Sequence, residues 1–228
     1  MSGAGQFALP FPSAVSHAEA DFVAGECSAE ARAWLARWPL WPAGRLVLWG
    51  PEACGKSHLG AIWRARAGAA LVPADSLAAG EAPALLGAAR HALIEDADRA
   101  GRGRESERTL LHLLNLVAEE GGTALLTGRE PPSRWPIGLP DLRSRLLAGG
   151  AVGISAPDEA LLIAVLAKGL ADRQLALDPE VGHYLVRRLP RSFAAMAEAA
   201  RRLDALALAE GRRIGRALAA RIVEGGET

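Results

Sequence analysis

The chain has 228 residues, half of them apolar, enough for one well-buried domain or for a core domain with a small satellite. Its 26 basic and 26 acidic residues cancel. No global field is therefore available to hold nucleic acid by phosphate contacts alone, and any electrostatic function must be local. Arginine supplies nearly all the positive charge, because Lys56 and Lys168 are the only lysines. No apolar stretch approaches membrane-spanning length, and the N-terminus lacks the basic flank and apolar run of a leader peptide. Cys27 and Cys54 are the only cysteines, and Cys54 sits in a loop that must stay adaptable, which suits a reducing compartment and a soluble cytoplasmic protein.

In chain order, residues 1–25 mix Gly, Ser, Pro and acids without a sustained period and read as a tail or extended arm, broken by the apolar knot Gln6-Phe7-Ala8-Leu9-Pro10-Phe11. A helix is predicted over 28–38 with Ser28 as N-cap, ended by Pro39 and Pro42. The apolar run Arg45-Leu46-Val47-Leu48-Trp49 closes on Gly50-Pro51 and reads as a buried strand, followed by a helix over 56–66. A weak strand over 69–72, a short helix over 83–88 and a strand over 91–94 ending in Glu95, Asp96 and Asp98 come next. Residues 101–104 read as a loop. Residues 105–120 read as an amphipathic helix with Leu110, Leu113, Leu114 and Val117 on one face, and 123–127 as a further strand. This alternation argues for a parallel sheet covered on both faces. From Pro157 onward the pattern is helical throughout, over 158–171, 179–187, 192–210 and 215–223, with Asp158, Asp178 and Ser192 placed at helix starts. The expected organisation is an N-terminal arm (1–25), an α/β nucleotide-binding core (26–156) and a small all-helical domain (157–228).

Gly50-Pro51-Glu52-Ala53-Cys54-Gly55-Lys56-Ser57 fits the phosphate-loop pattern G-x-x-x-x-G-K-[ST], with a strand before it and a helix after it. Glycines let backbone N–H groups turn inward around a phosphate, and the following helix points its positive end at the same place. Lys56 is expected to reach the outer phosphates and Ser57 to coordinate Mg²⁺. Pro51, Cys54 and His58 belong to the same nucleotide-contacting stretch. The second half of such a site is an acidic pair closing another strand, one acid for the metal's water shell and one for the attacking water. Glu95 and Asp96 supply it. Aspartate is usual at the first position, and the extra methylene of Glu95 predicts weak hydrolysis without loss of binding, since reacting geometry is sensitive at the ångström level. Thr127, at the end of the next strand, is placed to hydrogen-bond the attacking water or a terminal phosphate.

Two further segments are more distinctive: Leu125-Leu126-Thr127-Gly128-Arg129-Glu130-Pro131-Pro132 and Leu139-Pro140-Asp141-Leu142-Arg143-Ser144-Arg145-Leu146. The first resembles the sensor I strand of the DnaA-like AAA+ family, and the second resembles that family's arginine-finger segment. Order, spacing and helical tail are similar over nearly the whole chain, most closely to the short Hda/HdaA branch, the regulatory inactivators of DnaA. The resemblance implies an AAA+ core with a five-stranded parallel sheet and a helical lid, binding ADP or ATP with Mg²⁺. It implies that Arg145 reaches across an interface to nucleotide held by a partner, a task suited to a planar, always-charged guanidinium. It makes Arg191, in Arg191-Ser192-Phe193, the sensor II arginine. Residues 6–11 resemble the family's sliding-clamp peptide, with Gln6 supplying amide hydrogen bonds, Leu9 and Phe11 filling pockets and Pro10 holding the backbone extended.

The implied partners are the initiator DnaA and the DNA polymerase sliding clamp, with association to the nucleoid through the clamp. Self-association into a homo-oligomer is compatible with the resemblance. Neither membrane nor direct DNA contact is expected. The stretch 73–90 is too short for the initiator's inserted helical element, and no helix-turn-helix follows the lid before Thr228. The competing readings are a self-sufficient ATPase of the clamp-loader or helicase-loader type, which Glu95 disfavours, and an initiator-like DNA-binding protein, which the missing modules disfavour.

Overall fold

The computed structural model describes residues 25–211 and 213–224. Five strands form one sheet: β1 (Arg45–Trp49), β2 (Ala70–Pro73), β3 (Ala92–Glu95), β4 (Ala124–Gly128) and β5 (Gly150–Gly153). Their order is β2-β3-β4-β1-β5 and every pairing is parallel. The core helices are α1 (Ala29–Ala36), α2 (Lys56–Ala67), α3 (Ala82–Leu86), α4 (Arg104–Glu119) and α5 (Pro140–Ala148). The C-terminal domain holds α6 (Glu159–Ala171), α7 (Pro179–Val186), α8 (Phe193–Glu210) and α9 (Arg216–Glu224). The expected α/β class with a helical lid is thus the observed one.

The uninterrupted apolar runs of the central strands follow from burial on both faces. Alternate side chains enter two separate cores. Val47, Ile94 and Leu126 pack with Leu110, Leu113, Leu114 and Leu142 on one face of the sheet. Leu46, Leu48, Leu93 and Leu125 pack with Leu59, Trp41 and Trp63 on the other. Each fully buried leucine stabilises the fold by about 1.5–3 kcal/mol. The lid has its own core, centred on Leu166, Leu185, Met196 and Leu203. Asp158, Asp178 and Ser192 accept backbone hydrogen bonds at the starts of α6, α7 and α8, as expected.

Three local expectations need correction. Ser28 precedes α1, but its hydroxyl donates to the Gly25 carbonyl at 3.1 Å and caps nothing. Of the stretch read as a loop over 101–104, Gly101 and Arg102 end a 3₁₀ turn, Ala97–Arg102, in which Ala97 and Ala100 are buried and draw the chain inward, and Arg104 opens α4. The strand β5 had no counterpart in the element-by-element reading, although a fifth strand was implied by the family resemblance.

At the amino edge of the sheet, His91 Nδ1 accepts the Thr123 N–H at 3.0 Å, while Trp38 Nε1 donates to the Thr123 hydroxyl at 2.8 Å. Burial, and secondarily Arg90, pushes the His91 pKa below its ordinary value. A depressed folded-state pKa means that the unfolded chain binds the proton more readily. The stabilising effect of neutral His91 is therefore complete above about pH 6.5 and is lost as the pH falls below that value. The melting temperature is expected to drop between pH 7.5 and 5.5. The drop should be smaller in His91→Asn, whose side-chain oxygen keeps an acceptor for Thr123 without titrating. Thermal melts of both proteins across that range check it, and equal drops would exclude His91 as the source.

Candidate functional site

The helix after β1 packs on one face of the sheet through Leu59 and Trp63, and the helix after β4 packs on the other through Leu142 and Leu146. Connections leaving adjacent strands toward opposite faces open a crevice at their carboxyl ends, the usual binding position in such sheets. Trp49 pairs with Gly128 there, and Gly50 N–H continues the ladder to the Gly128 carbonyl at 3.2 Å. The 50–57 loop, the Thr127 region and the end of β3 therefore share one edge of three consecutive strands.

The loop has the conformation that its glycines were expected to allow. Gly50 has φ 155°, Ala53 φ 57° and Gly55 φ 101°. A side chain on Gly50 would collide with the Ile154 carbonyl and would lie 3.1 Å from Cys54 Sγ. Cys54 is buried and fills the space beneath the turn. Gly55 is the left-handed N-cap of α2 and no side chain caps that helix, which leaves the amides of its first turn directed at the crevice. Lys56 is buried, and its ammonium donates to the carbonyls of Gly50 at 2.8 Å and Pro51 at 2.7 Å. Ser57 is exposed and His58 half-buried on the first turn of α2. This cradle fits a phosphate chain: it offers backbone donors, a helix start and an ammonium in one turn.

Across the crevice, Glu95 is half-buried at the end of β3 and Asp96 is exposed in the left-handed conformation, φ 52°. Thr127 is 1% exposed, and its hydroxyl accepts the Asp96 N–H at 3.0 Å. One of its hydrogen-bonding capacities is thus spent on fixing the acidic turn. Asp98 accepts the Arg129 N–H at 3.0 Å, and Arg129 in turn forms an ion pair with Glu52 of the loop at 3.1 Å. A serine hydroxyl and a carboxylate are hard oxygen donors suited to Mg²⁺, which keeps waters and shares its shell with phosphates. No group of three or more His, Cys, Asp or Glu side chains is gathered for a metal among the described residues.

Arg145 lies elsewhere. It is half-buried on α5, beside a cleft of about 320 Å³ lined by Leu111, Asn115, Asp141 and Ser144. Its carbonyl accepts from Arg45 Nη1 at 3.2 Å, at the start of β1. Burial, followed by the like charge of Arg145, lowers the Arg45 pKa. The buried Glu107 carboxylate sets the entry of α5 by accepting the N–H groups of Gly138 at 2.9 Å and Leu139 at 2.7 Å. Sequence reasoning missed Glu107, although an acid three residues before Leu110 on an apolar stripe is a detectable signal. It missed Asn115 as well.

Arg191 is exposed, just before the Ser192 cap of α8. Two residues on, the Phe193 ring would stand 3.2 Å from a β-carbon on Gly55, so this end of the lid abuts the phosphate loop. Gln6, Leu9, Pro10 and Phe11 lie outside the described residues.

Residues 158–218 match the family model of the Hda lid domain. Domain III of the Thermotoga maritima replication initiation protein DnaA is similar over 94% of this chain and 98% of its own, with 16% identity and a TM-score of 0.76. AMPPCP-bound DnaA from Aquifex aeolicus is similar over 84% of this chain and 64% of its own, at 18% identity and a TM-score of 0.65. A RuvB variant from Thermotoga maritima is similar over 88% and 69%, at 13% and 0.68. No helix among the described residues is long and apolar enough to cross a membrane. The chain thus has an AAA+ type fold, similar to that of DnaA domain III, and its residues 158–218 are similar to the lid domain of Hda.

Proposed function

We propose that the protein regulates the initiation of chromosome replication: it binds an adenine nucleotide in its own 50–57 loop and presents Arg145 to ATP held by DnaA. The observation that carries this reading is the distance between the two features. The Arg145 main chain is bonded to Arg45 at the amino edge of the sheet, whereas the loop begins at the carboxyl end of the same strand. Five residues at about 3.3 Å each put roughly 16 Å between those ends. Arg145 is therefore tied to the end of β1 opposite the chain's own 50–57 loop, a placement that suits action on the phosphates of a partner.

In this reading Gly50, Pro51, Cys54, Gly55, Lys56, Ser57 and His58 hold the nucleotide, and Arg191 approaches it from the lid. Ser57 and Glu95 hold Mg²⁺, which when bound offsets charge on the phosphates. Glu95, Asp96 and Thr127 leave intrinsic hydrolysis weak, because the first acid is one methylene too long. The 6–11 peptide tethers the protein to the DNA-loaded sliding clamp and raises the local concentration of Arg145 near the initiator.

The test is single-turnover hydrolysis by ATP-bound DnaA on clamp-loaded DNA, with and without the protein. Acceleration is expected, and it should weaken when Gln6→Ala removes retention by the clamp in a pull-down. An unchanged hydrolysis rate on adding the wild-type protein would overturn the proposal.

A further inference from the structure

The Glu52–Arg129 pair has no counterpart among the residues that the phosphate-loop pattern singles out. Glu52 is the third residue of the loop, and Arg129 is the first residue beyond β4, next to Gly128, whose carbonyl receives the Gly50 N–H. Their side chains meet at 3.1 Å across the mouth of the crevice, and both are well exposed, at 77% for Glu52 and 66% for Arg129. The Arg129 main chain is not free to drift, since its N–H is held by Asp98. An anchored backbone thus carries a guanidinium over the phosphate cradle, engaged by a partner that holds it weakly. An exposed ion pair of this kind contributes about 0–1 kcal/mol, whereas a guanidinium gripping a phosphate through charge-assisted hydrogen bonds is stronger and can use two donors.

We infer that Arg129 is a specificity-determining residue of the nucleotide site: it exchanges Glu52 for the terminal phosphate of a nucleoside triphosphate and so distinguishes ATP from ADP. The inference rests on the reading of the 50–57 loop as a nucleotide site. Glu52 acts as the competitor that keeps this discrimination low. It also keeps a guanidinium at the loop mouth from standing unmatched when the diphosphate, which lacks the terminal group, is bound.

Titration calorimetry of ADP and ATP with Mg²⁺ tests the inference on wild type, Glu52→Gln, Arg129→Gln and the double variant. The readout is the ratio of the two dissociation constants, which a merely structural role would leave unchanged. Glu52→Gln should favour ATP over ADP by up to about fivefold relative to wild type, the scale of the exposed ion pair it releases. Arg129→Gln should weaken ATP binding with little effect on ADP, and the double variant should match Arg129→Gln alone. Equal shifts for both nucleotides, or an effect of Glu52→Gln that persists without Arg129, would overturn the inference while leaving the nucleotide site intact. Failure of the wild type to bind either nucleotide would instead remove the site itself, and this inference with it.

Discussion

Arg145→Ala is expected to remove the stimulation of DnaA-bound ATP hydrolysis, by about 10³-fold or more, on the scale known for guanidinium groups acting in trans on phosphoryl transfer. The protein's own fold and nucleotide affinity should be unchanged. The contact that Arg145 makes with the rest of the chain runs through its main-chain carbonyl to Arg45, which truncation of the side chain leaves in place. Removing the side-chain charge also relieves the like-charge repulsion that helps lower the Arg45 pKa. Arg145→Lys should recover little, because an ammonium cannot grip two phosphate oxygens in the plane of a fork. Arg143, exposed on the same helix, provides the control: Arg143→Ala should stimulate normally. A single-turnover assay with an unchanged melting temperature is the check, and equal stimulation by wild type and Arg145→Ala would exclude the assignment. Glu107 is a poor substitute for this test. Its carboxylate holds the entry of α5 through two backbone amides, so its loss would move Arg145 and loosen the core together.

The central strands were legible because each is an apolar run bounded by glycine, proline or acids, and two-sided burial demands such runs. The fifth strand was not legible, for a physical reason. Gly150-Ala151-Val152-Gly153 carries one branched residue and two glycines, a pattern that argues against a strand on propensity. The glycines are there because large rings from elsewhere occupy the space: a β-carbon on Gly150 would meet Trp34 at 3.0 Å, and one on Gly153 would meet Trp49 at 2.8 Å. That crowding is a tertiary fact that no window of sequence contains. The site divides along the same line. The 50–57 loop is contiguous, so the sequence could nominate all of it at once. Thr127 beneath Asp96, Asp98 behind Arg129, and Arg129 against Glu52 are pairs that come together because strands distant in the chain are neighbours in the sheet. Spacing alone could nominate Thr127 and the acids, but it could not say which polar atom each would engage.

The second large effect is expected from the smallest substitution. Gly50→Ala should weaken binding of ADP and ATP at least about 100-fold, a loss of roughly 2.7 kcal/mol, and should lower the melting temperature as well. The backbone at φ 155° is one that an L-residue adopts only under strain, about 1–3 kcal/mol. The added methyl would also be driven into the Ile154 carbonyl, and that carbonyl cannot move cheaply, because the Ile154 N–H is bonded to the Trp49 carbonyl at 2.7 Å. The exit of β1 would have to shift instead. Lys56 would follow it, since its ammonium is fixed to the carbonyls of Gly50 and Pro51. Gly55→Ala provides the contrast. Its methyl would meet only the far edge of the Phe193 ring, at 3.2 Å, and a side-chain ring can give way where a backbone carbonyl cannot. The strain of φ 101° remains, so Gly55→Ala should weaken binding less and should disturb the seating of α8 against the loop more. Calorimetry with both nucleotides, read beside thermal melts, separates the two cases. Nucleotide binding at wild-type strength in a folded Gly50→Ala protein would mean that the turn after β1 is not where the phosphates lie.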